Sequence, residues 1–568
     1  MHGFICAISL EEEILPLNFE WKVPFDFQGK MIKREIRGKN YQIEQYTSEK
    51  FIEEKLWIDN DTFLFIVEGL IVNFDQLIID FSVKNATELI QKLYNTEKQF
   101  FKHFEGNFSG LFYHKKDKIW YTFNNQSGTK RIFYFCNSKR IVVGNDLFTL
   151  VKALKTLHES ISLNEQAAYL LLTSSIVFEN MTLVNEVKKL QAGEYLEVSD
   201  NRIHTDYYFN LANISRVDAT KKSMIENLNN KFNEAIIQQH EIDLKYDFNH
   251  LTTLSGGLDS RMELFSAKEM GYSQQIAFNF SKKGYADQLI SKQIAEKYDI
   301  PLLQFSLSPD MMLPVDDIIA VNDGLISYTN CCHVFSILNQ LKDQRFGAIH
   351  TGIMGDTVMG SSVNDDARIK KRLYSVNTVF PDQINYIDNL ISTYKKIAEL
   401  CLIYNLIFFG ESNGFVNFDL MGETLSPFLN TSFLSYAYSI PNELKFNRKL
   451  YIEWIKTCRP GVAGFVWETI AGKPTNNQFL RQFYRYKRAV IKRLPIETRW
   501  KDNMSPEKTW YDQNQFVREK LDQYFFNNVS RISNSKLSED VIALYNNEDF
   551  NVKARCITLV GAIKLLFD

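Results

Sequence analysis

The sequence predicts an α/β protein in two parts: layered antiparallel sheets over residues 1–210, then a helix-rich region with a parallel sheet over 211–568. Three observations carry this. The first two hundred residues hold short aromatic and β-branched runs separated by turn residues. From about residue 205 helical periodicity dominates and isolated strands alternate with helices, the pattern of a covered parallel sheet. The third is LSGGLDS (254–260), a glycine-rich turn between an apolar strand and a helical pattern.

In chain order, FLFIVEGLIVNF (63–74), KIWYTF (118–123), RIFYFCN (131–137) and RIVVGN (140–145) read as strands, with a helix at ATELIQKLYN between the first two. The parts meet near Tyr207–Asp218. KKSMIENLNNKFNEAIIQQH opens the second part as a helix, and HLTTL, QIAFNF and FGAIH are its strands. VREKLDQYFFNN and CITLVGAIKLLF, near the end, read as helices that complete the core. No internal repeat is present.

Composition bounds the function. The chain has 568 residues, 45% hydrophobic, with a formal charge of −3 and no long run of one sign. That argues against nucleic acid as a partner. The seven cysteines show no CxxC pair or metal-ligand spacing and read as buried thiols of a reducing compartment. MHGFICAISLEEEI is no signal peptide, and CLIYNLIFFG is too short to span a bilayer. The expectation is a soluble cytoplasmic protein with no membrane partner.

A strand that ends in a glycine-rich turn opening a helix is an anion site. Glycine lets the backbone approach, and the first N–H groups of the helix point at the ligand. Ser255 and Ser260 add hydroxyls. Asp259 would repel a phosphate unless a cation sits between them, and Mg²⁺ is the usual one. No lysine follows, so this is not the GxxxxGK[ST] loop, and it is not GxGxxG. The bland alternative is a turn closing a strand–helix unit with serine as cap. Arg261, directly after the loop, is expected on an exposed helix face, with a phosphate or substrate carboxylate as the alternative contact.

SGGLDS resembles the pyrophosphate loop of N-type ATP pyrophosphatases, and nearly the whole chain resembles the asparagine synthetase family. QIAFNFSKKGYADQLISKQIAEKYDI is similar to that family's second strand and following helix, with Asp287 at its aspartate. HTGIMGDTVMG (350–360) matches a family segment through Gly352, Asp356 and Gly360. ETLSPFLNTSF does so through Glu423, Pro427, Phe428 and Leu429, and TRWKDNM through Arg499 and Lys501. VEGLIVN, FEGNFSGLFY, NNQSGTKRIFYF and KKLQAGEYLEV follow the order of the family's glutaminase domain.

The resemblance implies an αββα Ntn-hydrolase-like sandwich followed by an ATP-pyrophosphatase domain. The implied reaction uses ATP to adenylate a carboxylate, releases pyrophosphate, and joins the carboxylate to an amine with release of AMP. It implies that Leu254, Ser255, Gly256, Gly257, Asp259, Ser260, Phe280 and Gly352 hold the nucleotide and that Asp259 and Asp356 bind Mg²⁺. Lys501 would neutralise charge developing in the transition state. A plain helix cap at Asp356 and an ordinary surface lysine at Lys501 are the bland readings.

Four positions depart from the family. Its glutaminases carry cysteine after the initiator methionine, with the α-amine as base; here His2 stands there, and Met1 is expected to be retained. Cys6 cannot substitute, because its amine lies in a peptide bond. Glu68-Gly69 replaces the Asn-Gly oxyanion element, and a carboxylate is a poor partner for an oxyanion. YTSEKFIEEKLW lacks the arginine that holds glutamine. Ile353 stands where a glutamate is usual, which argues against authentic asparagine biosynthesis.

The leading expectation is an ATP-dependent amide-forming ligase without its own glutaminase, acting on a small-molecule or peptide carboxylate, with the oligomeric state open and a homodimer as one alternative. Relatives with a silent N-terminal domain suggest ring closure, as in β-lactam synthetases and lasso-peptide cyclases. KLYIEWIKTCRPGVAGFVWETIAGKP suggests amidation of a saccharide acid instead, and free ammonia is a third amine source. A non-catalytic nucleotide-binding module and an intact glutamine-dependent asparagine synthetase are the other readings.

Overall fold

The computed structural model describes residues 2–11, 17, 20–21, 30–200, 202–333, 337, 340–341, 345–360, 373, 380–394, 398–493, 498–501 and 503–568. Met1, on which the retention expectation falls, lies outside the described residues.

Two six-stranded antiparallel sheets form the first part. The strands are β1 (Gly3–Ser9), β2 (Met31–Arg37), β3 (Tyr41–Ser48), β4 (Trp57–Asp59), β5 (Phe63–Ile71), β6 (Gly106–His114), β7 (Ile119–Asn124), β8 (Phe133–Cys136), β9 (Arg140–Gly144), β10 (Val187–Lys189), β11 (Glu194–Ser199) and β12 (Arg202–Tyr207). One sheet runs β10-β8-β9-β1-β3-β2 and the other β12-β11-β7-β6-β5-β4.

The two-residue period of a strand decides the layering. Phe4, Cys6 and Ile8 of β1 meet Leu64 and Ile66 of β5, Leu111 and Trp120 between the sheets. The alternate residues Ile5 and Ala7 face the other way, into a cluster with Leu147, Leu150 and Leu154 of the helix Leu147–Thr156. On the second sheet Phe63, Phe65 and Val67 turn outward onto Leu89 and Leu93 of the helix Ala86–Thr96 and onto Phe100 and Phe104. The result is helix, sheet, sheet, helix, the αββα sandwich expected.

The second part opens with the long helix Lys221–Lys245, capped by Thr220, whose side chain accepts from the Ser223 N–H. Strands β13 (Asn249–Thr253), β14 (Gln275–Lys282), β15 (Leu302–Leu307), β16 (Phe346–His350) and β17 (Thr424–Leu425) form a parallel sheet in the order β15-β14-β13-β16-β17. From β13 the chain adds β14 and β15 on one side and then β16 on the other, so the order reverses between β13 and β16. Crevices at such reversals, beyond the carboxyl ends of the strands, are where open α/β sheets bind ligands. The final helix, Phe550–Phe567, is buried along Ile557, Leu559, Val560 and Ile563, so the core reading holds.

Cysteine burial is a correction. Cys6, Cys331, Cys332, Cys401 and Cys556 are buried, but Cys136 is exposed and Cys458 half-buried. Cys136 ends β8, where the two-residue period turns it outward. Among the described residues no helix is long and apolar enough to cross a membrane.

A polar knot sits inside the second part. His240, His250 and His350, from the long helix, β13 and β16, are all fully buried. His250 Nδ1 and His350 Nε2 lie 2.9 and 2.7 Å from the same Asp243 oxygen, and His240 Nδ1 lies 3.0 Å from the Ile236 carbonyl. Their nitrogens converge within 4.8 Å. However, the His240 and His350 rings stack with centroids 3.9 Å apart and 21° between planes. One ion cannot lie in both ring planes at that stacking, so the knot is a hydrogen-bonded core. Burial, and the neighbouring histidines, hold His240 well below its ordinary pKa; burial also lowers His350 against the pull of Asp243. At these two histidines the folded state therefore binds fewer protons than the unfolded chain below about pH 6.5. Their contribution to stability is level above pH 7 and falls as the pH drops through 6.5, by up to about 1 kcal/mol per pH unit for each. Buried carboxyls oppose it, since Asp287 and Asp419 are raised to about 6, so the check is a difference: the urea midpoint of the wild type minus that of His240→Leu should fall between pH 7.5 and 5, and a constant difference would refute it.

Candidate functional site

The sequence LSGGLDS forms the mouth of a cavity of about 330 Å³ at the carboxyl ends of β13, β14 and β16. Thr253, Phe278 and Phe280 reach it from the strands, Thr351 to Ile353 from the turn after β16, and Trp467 and Thr469 cover one side. The helix Asp259–Glu269 begins at the cavity with no side chain capping its first turn, so its leading N–H groups are available there.

The loop is held from behind. The Ser255 N–H and the Gly257 N–H donate to Ser260 Oγ (2.9 Å) and Ser255 Oγ (3.0 Å). The Gly256 N–H donates to Asp287 Oδ1 at 2.5 Å, and Asn279 donates to Asp287 Oδ2 at 2.6 Å. Burial pushes the Asp287 carboxyl up to about 6. Asp287 thus braces the loop.

Arg261 is a correction. It is fully buried rather than on an exposed face. Its guanidinium donates to the carbonyls of Gly256 (2.7 Å), Val466 (2.6 Å) and Val462 (3.2 Å). The helix turns it inward, and three backbone acceptors satisfy a group that burial would otherwise make costly. Burial lowers it to about 10.

Asp259 and Asp356 meet at the cavity. The Asp356 N–H donates to Asp259 Oδ2 at 2.7 Å and Tyr451 OH to Asp259 Oδ1 at 2.7 Å. Burial, then the charge of Asp356, pushes Asp259 well above the carboxylate range. Arg448 pairs with Asp356 at 2.5 Å. Arg448 and its neighbour Asn447 both have left-handed backbone, with φ of 58° and 54°, an arrangement that costs energy and persists at functional sites. Sequence reading missed Arg448 and Tyr451, because they stand about two hundred residues from the loop in an unremarkable helical stretch.

Gly352 is where the two loops touch. A Cβ there would lie 2.3 Å from the Asp259 carbonyl carbon and 2.4 Å from the Ser260 nitrogen, both backbone atoms. Gly352→Ala should force the loops apart at a cost of about 1–3 kcal/mol, read as a lowered urea midpoint. An unchanged midpoint would refute the close approach. Ile353 gives the cavity an apolar wall where the family's glutamate was expected.

Leu254, Ser255, Gly257, Asp259, Ser260, Phe280, Gly352 and Asp356 all line the cavity. Gly256 sits behind it, with its carbonyl accepting from the Glu468 N–H. Phe280 stacks on His333, centroids 5.2 Å apart, and burial lowers His333 to about 4. Lys501 is not brought into the lining. It stands in a rim segment where Arg499 O accepts from the Ala286 N–H and Met504 O from the Lys282 N–H.

In the first part, Glu68 borders a second cavity of only about 50 Å³ with His2, Lys130, Arg131 and Asp419. Glu68 accepts from Gln45 and Thr47 at 2.9 Å each. Lys55 lies within YTSEKFIEEKLW, the stretch without the expected arginine. It reaches Glu423 at 3.0 Å and Glu68 at 3.7 Å. Lys130 pairs with Glu423 at 2.8 Å and Asp419 at 2.9 Å. All five charged groups are buried or nearly so, and they join the sandwich to the turn before β17.

Residues 56–209 match the glutamine amidotransferase domain family; this stretch is a glutamine amidotransferase-type domain within a larger α/β chain. Among solved structures, the chain is similar to glutamine phosphoribosylpyrophosphate amidotransferase from B. subtilis, complexed with ADP and GMP, at 12% identity and a TM-score of 0.21. The match covers 47% of this chain and 52% of that one. It is also similar to an allosteric regulatory enzyme of purine biosynthesis at 10% identity and a TM-score of 0.23, covering 53% and 74%. The chain thus spans about half the length of the first. Scores this low carry no argument about activity. No curated protein matches the chain.

Proposed function

We propose that the chain is an ATP-dependent carbon–nitrogen ligase that activates a carboxylate by adenylation and joins it to an amine supplied from outside the N-terminal domain. The observation that carries this reading is the convergence of Ser255–Ser260, Asp259 and Asp356 on one cavity at the reversal of a parallel sheet. The donor set fits the groups invoked. Asp259 and Asp356 are two neighbouring, half-buried carboxylates whose repulsion a divalent cation would relieve, and the leading N–H groups of Asp259–Glu269 suit phosphate.

Mg²⁺ held by Asp259 and Asp356 would supply charge neutralisation at the phosphates. The chain's own residues do the rest. Asp287 and Arg261 fix the loop backbone. Arg448 balances Asp356, and the wall formed by Phe280 and His333 offers a flat apolar face to a base. Lys501, on the rim rather than in the lining, is proposed to neutralise charge developing at the phosphates.

The amidotransferase-type domain is proposed to lack glutaminase action. Cys6 lies in the apolar layer between the sheets, and burial pushes its thiol up, whereas a nucleophile needs a lowered pKa and access. The Glu68 cavity has room for a few water molecules and no cysteine in its lining. The apolar Ile353 wall favours a carboxylate substrate carrying its own amine, or ammonia, over authentic asparagine synthesis.

Pyrophosphate release from ATP, measured across carboxylates with ammonia or an internal amine, tests the reading. Amine-dependent release with AMP in equal amount is expected. Nucleotide binding without release for any substrate pair would favour a binding module, and glutamate formation from glutamine would overturn the proposal for the N-terminal domain.

A further inference from the structure

The helix Gln478–Arg493, QFLRQFYRYKRAVIKR, is inverted relative to an ordinary surface helix. Such a helix buries its apolar stripe and shows its charges to water. Here Phe479, Phe483, Tyr486 and Val490 follow the spacing i, i+4, i+7, i+11 of a single face, and they are 84, 59, 72 and 41% exposed. The side turned inward is mixed: Tyr484, whose ring lies against Gly472, and Ile491 share it with Arg488, which pairs with Glu468 and donates to the Thr469 carbonyl at 2.8 Å.

Charge points the same way. The sixteen residues hold Arg481, Arg485, Lys487, Arg488, Lys492 and Arg493 and no acid. The whole chain carries −3, so this cationic stretch is a local feature. At 100° per residue, Lys487 and Arg493 fall on the two flanks of the aromatic stripe. An aromatic stripe bordered by bases is the arrangement of a helix lying in a bilayer interface, rings among the acyl-chain tops and bases at the phosphates. Contiguous exposed apolar surface of this kind marks an interaction site. An acidic protein would satisfy the bases but has no special use for four outward apolar side chains.

We infer that the Gln478–Arg493 helix docks the protein onto an anionic lipid surface through Phe479, Phe483, Tyr486 and Val490, with Lys487 and Arg493 at the headgroups. This is peripheral binding, which the absence of a spanning helix among the described residues leaves open. It also revises the sequence-based expectation of no membrane partner. Through Glu468 and Thr469 the same helix adjoins the wall of the large cavity, so the bilayer would lie beside the site. The inference does not depend on the reaction proposed above.

The test is co-sedimentation of the full, untagged chain with vesicles of phosphatidylcholine alone and of phosphatidylcholine mixed with phosphatidylglycerol. Binding to the mixed vesicles, at least tenfold above binding to the neutral ones and weakened by salt, is expected. Phe479→Ser/Phe483→Ser/Tyr486→Ser and, separately, Lys487→Glu/Arg493→Glu should each abolish it. These side chains are exposed, so folding is retained, and circular dichroism verifies that. Failure of the wild type to bind anionic vesicles would overturn the inference, as would equal binding by the serine variant. A dimer in light scattering that the serine variant converts to monomer, without vesicle binding, would assign the stripe to a second copy and overturn it too.

Discussion

Asp259→Asn should lower ATP-dependent pyrophosphate release by about two to three orders of magnitude, the usual cost of deleting a preorganised electrostatic group. The same substitution should leave the ligand-free protein as stable as the wild type or more so. Asp259 is half-buried beside Asp356, and both desolvation and that neighbour oppose its charge. An amide of the same shape removes the repulsion and still accepts from Tyr451 OH or the Asp356 N–H. A purely structural aspartate would behave in the opposite way, losing stability with activity following. Melting temperatures of both proteins, with and without ATP and Mg²⁺, separate the cases. The expected pattern is an unchanged or raised Tm without ligand and loss of the ligand-induced rise. Retained turnover in the variant would refute the proposed role of the loop.

Much of this site is legible in the sequence because its chemistry is local. LSGGLDS specifies a strand end, a tight turn and a helix start within seven residues, and each follows from backbone preference. The strands β5 and β7 are legible as short aromatic and β-branched runs, but their faces are not, because both sides are buried and no polar alternation marks them; the αββα order follows only from the family resemblance. What escaped reading depends on contacts far apart in the chain. Tyr451 and Arg448 reach Asp259 and Asp356 from about residue 450, and nothing in RKLYIEWIK (448–456) distinguishes them from core and surface positions. Arg261 was assigned to an exposed face because arginine usually is exposed. Its three acceptors are carbonyls at Gly256, Val462 and Val466, and carbonyl direction has no sequence signature. Lys55 stands in the stretch that lacks the family's arginine, and nothing in YTSEKFIEEKLW marks which of its two lysines is buried. β17, two residues long, is too short for any periodicity.

The charge network at Lys55, Lys130 and Glu423 explains what a glutamine amidotransferase-type domain contributes if it does not act on glutamine. Glu423 is buried between two lysines, which hold it down to about 2 against the opposing effect of burial. Asp419 shares only Lys130, and burial raises it to about 6. Glu423 therefore bridges the two lysines, 3.0 Å from Lys55 and 2.8 Å from Lys130. Glu423→Gln leaves two buried ammonium groups facing Glu68 and Asp419 alone. Removing one partner of a buried pair costs about 3–5 kcal/mol, because the remaining charge stays desolvated. The effect should not stop at stability. Ile349 and Thr351 donate backbone N–H groups to the Glu423 and Leu425 carbonyls, and Thr351 lines the large cavity. The network thus lies one strand from the proposed ATP site. Glu423→Gln should lower the urea midpoint sharply and raise the KM for ATP, whereas Glu68→Gln, 3.7 Å from Lys55 and also held by Gln45 and Thr47, should do less of both. If Glu423→Gln costs under about 1 kcal/mol, the network adds little, and the sandwich must persist for another reason. If the loss is large and KM rises with it, the sandwich serves as a buried counter-ion scaffold for the neighbouring site.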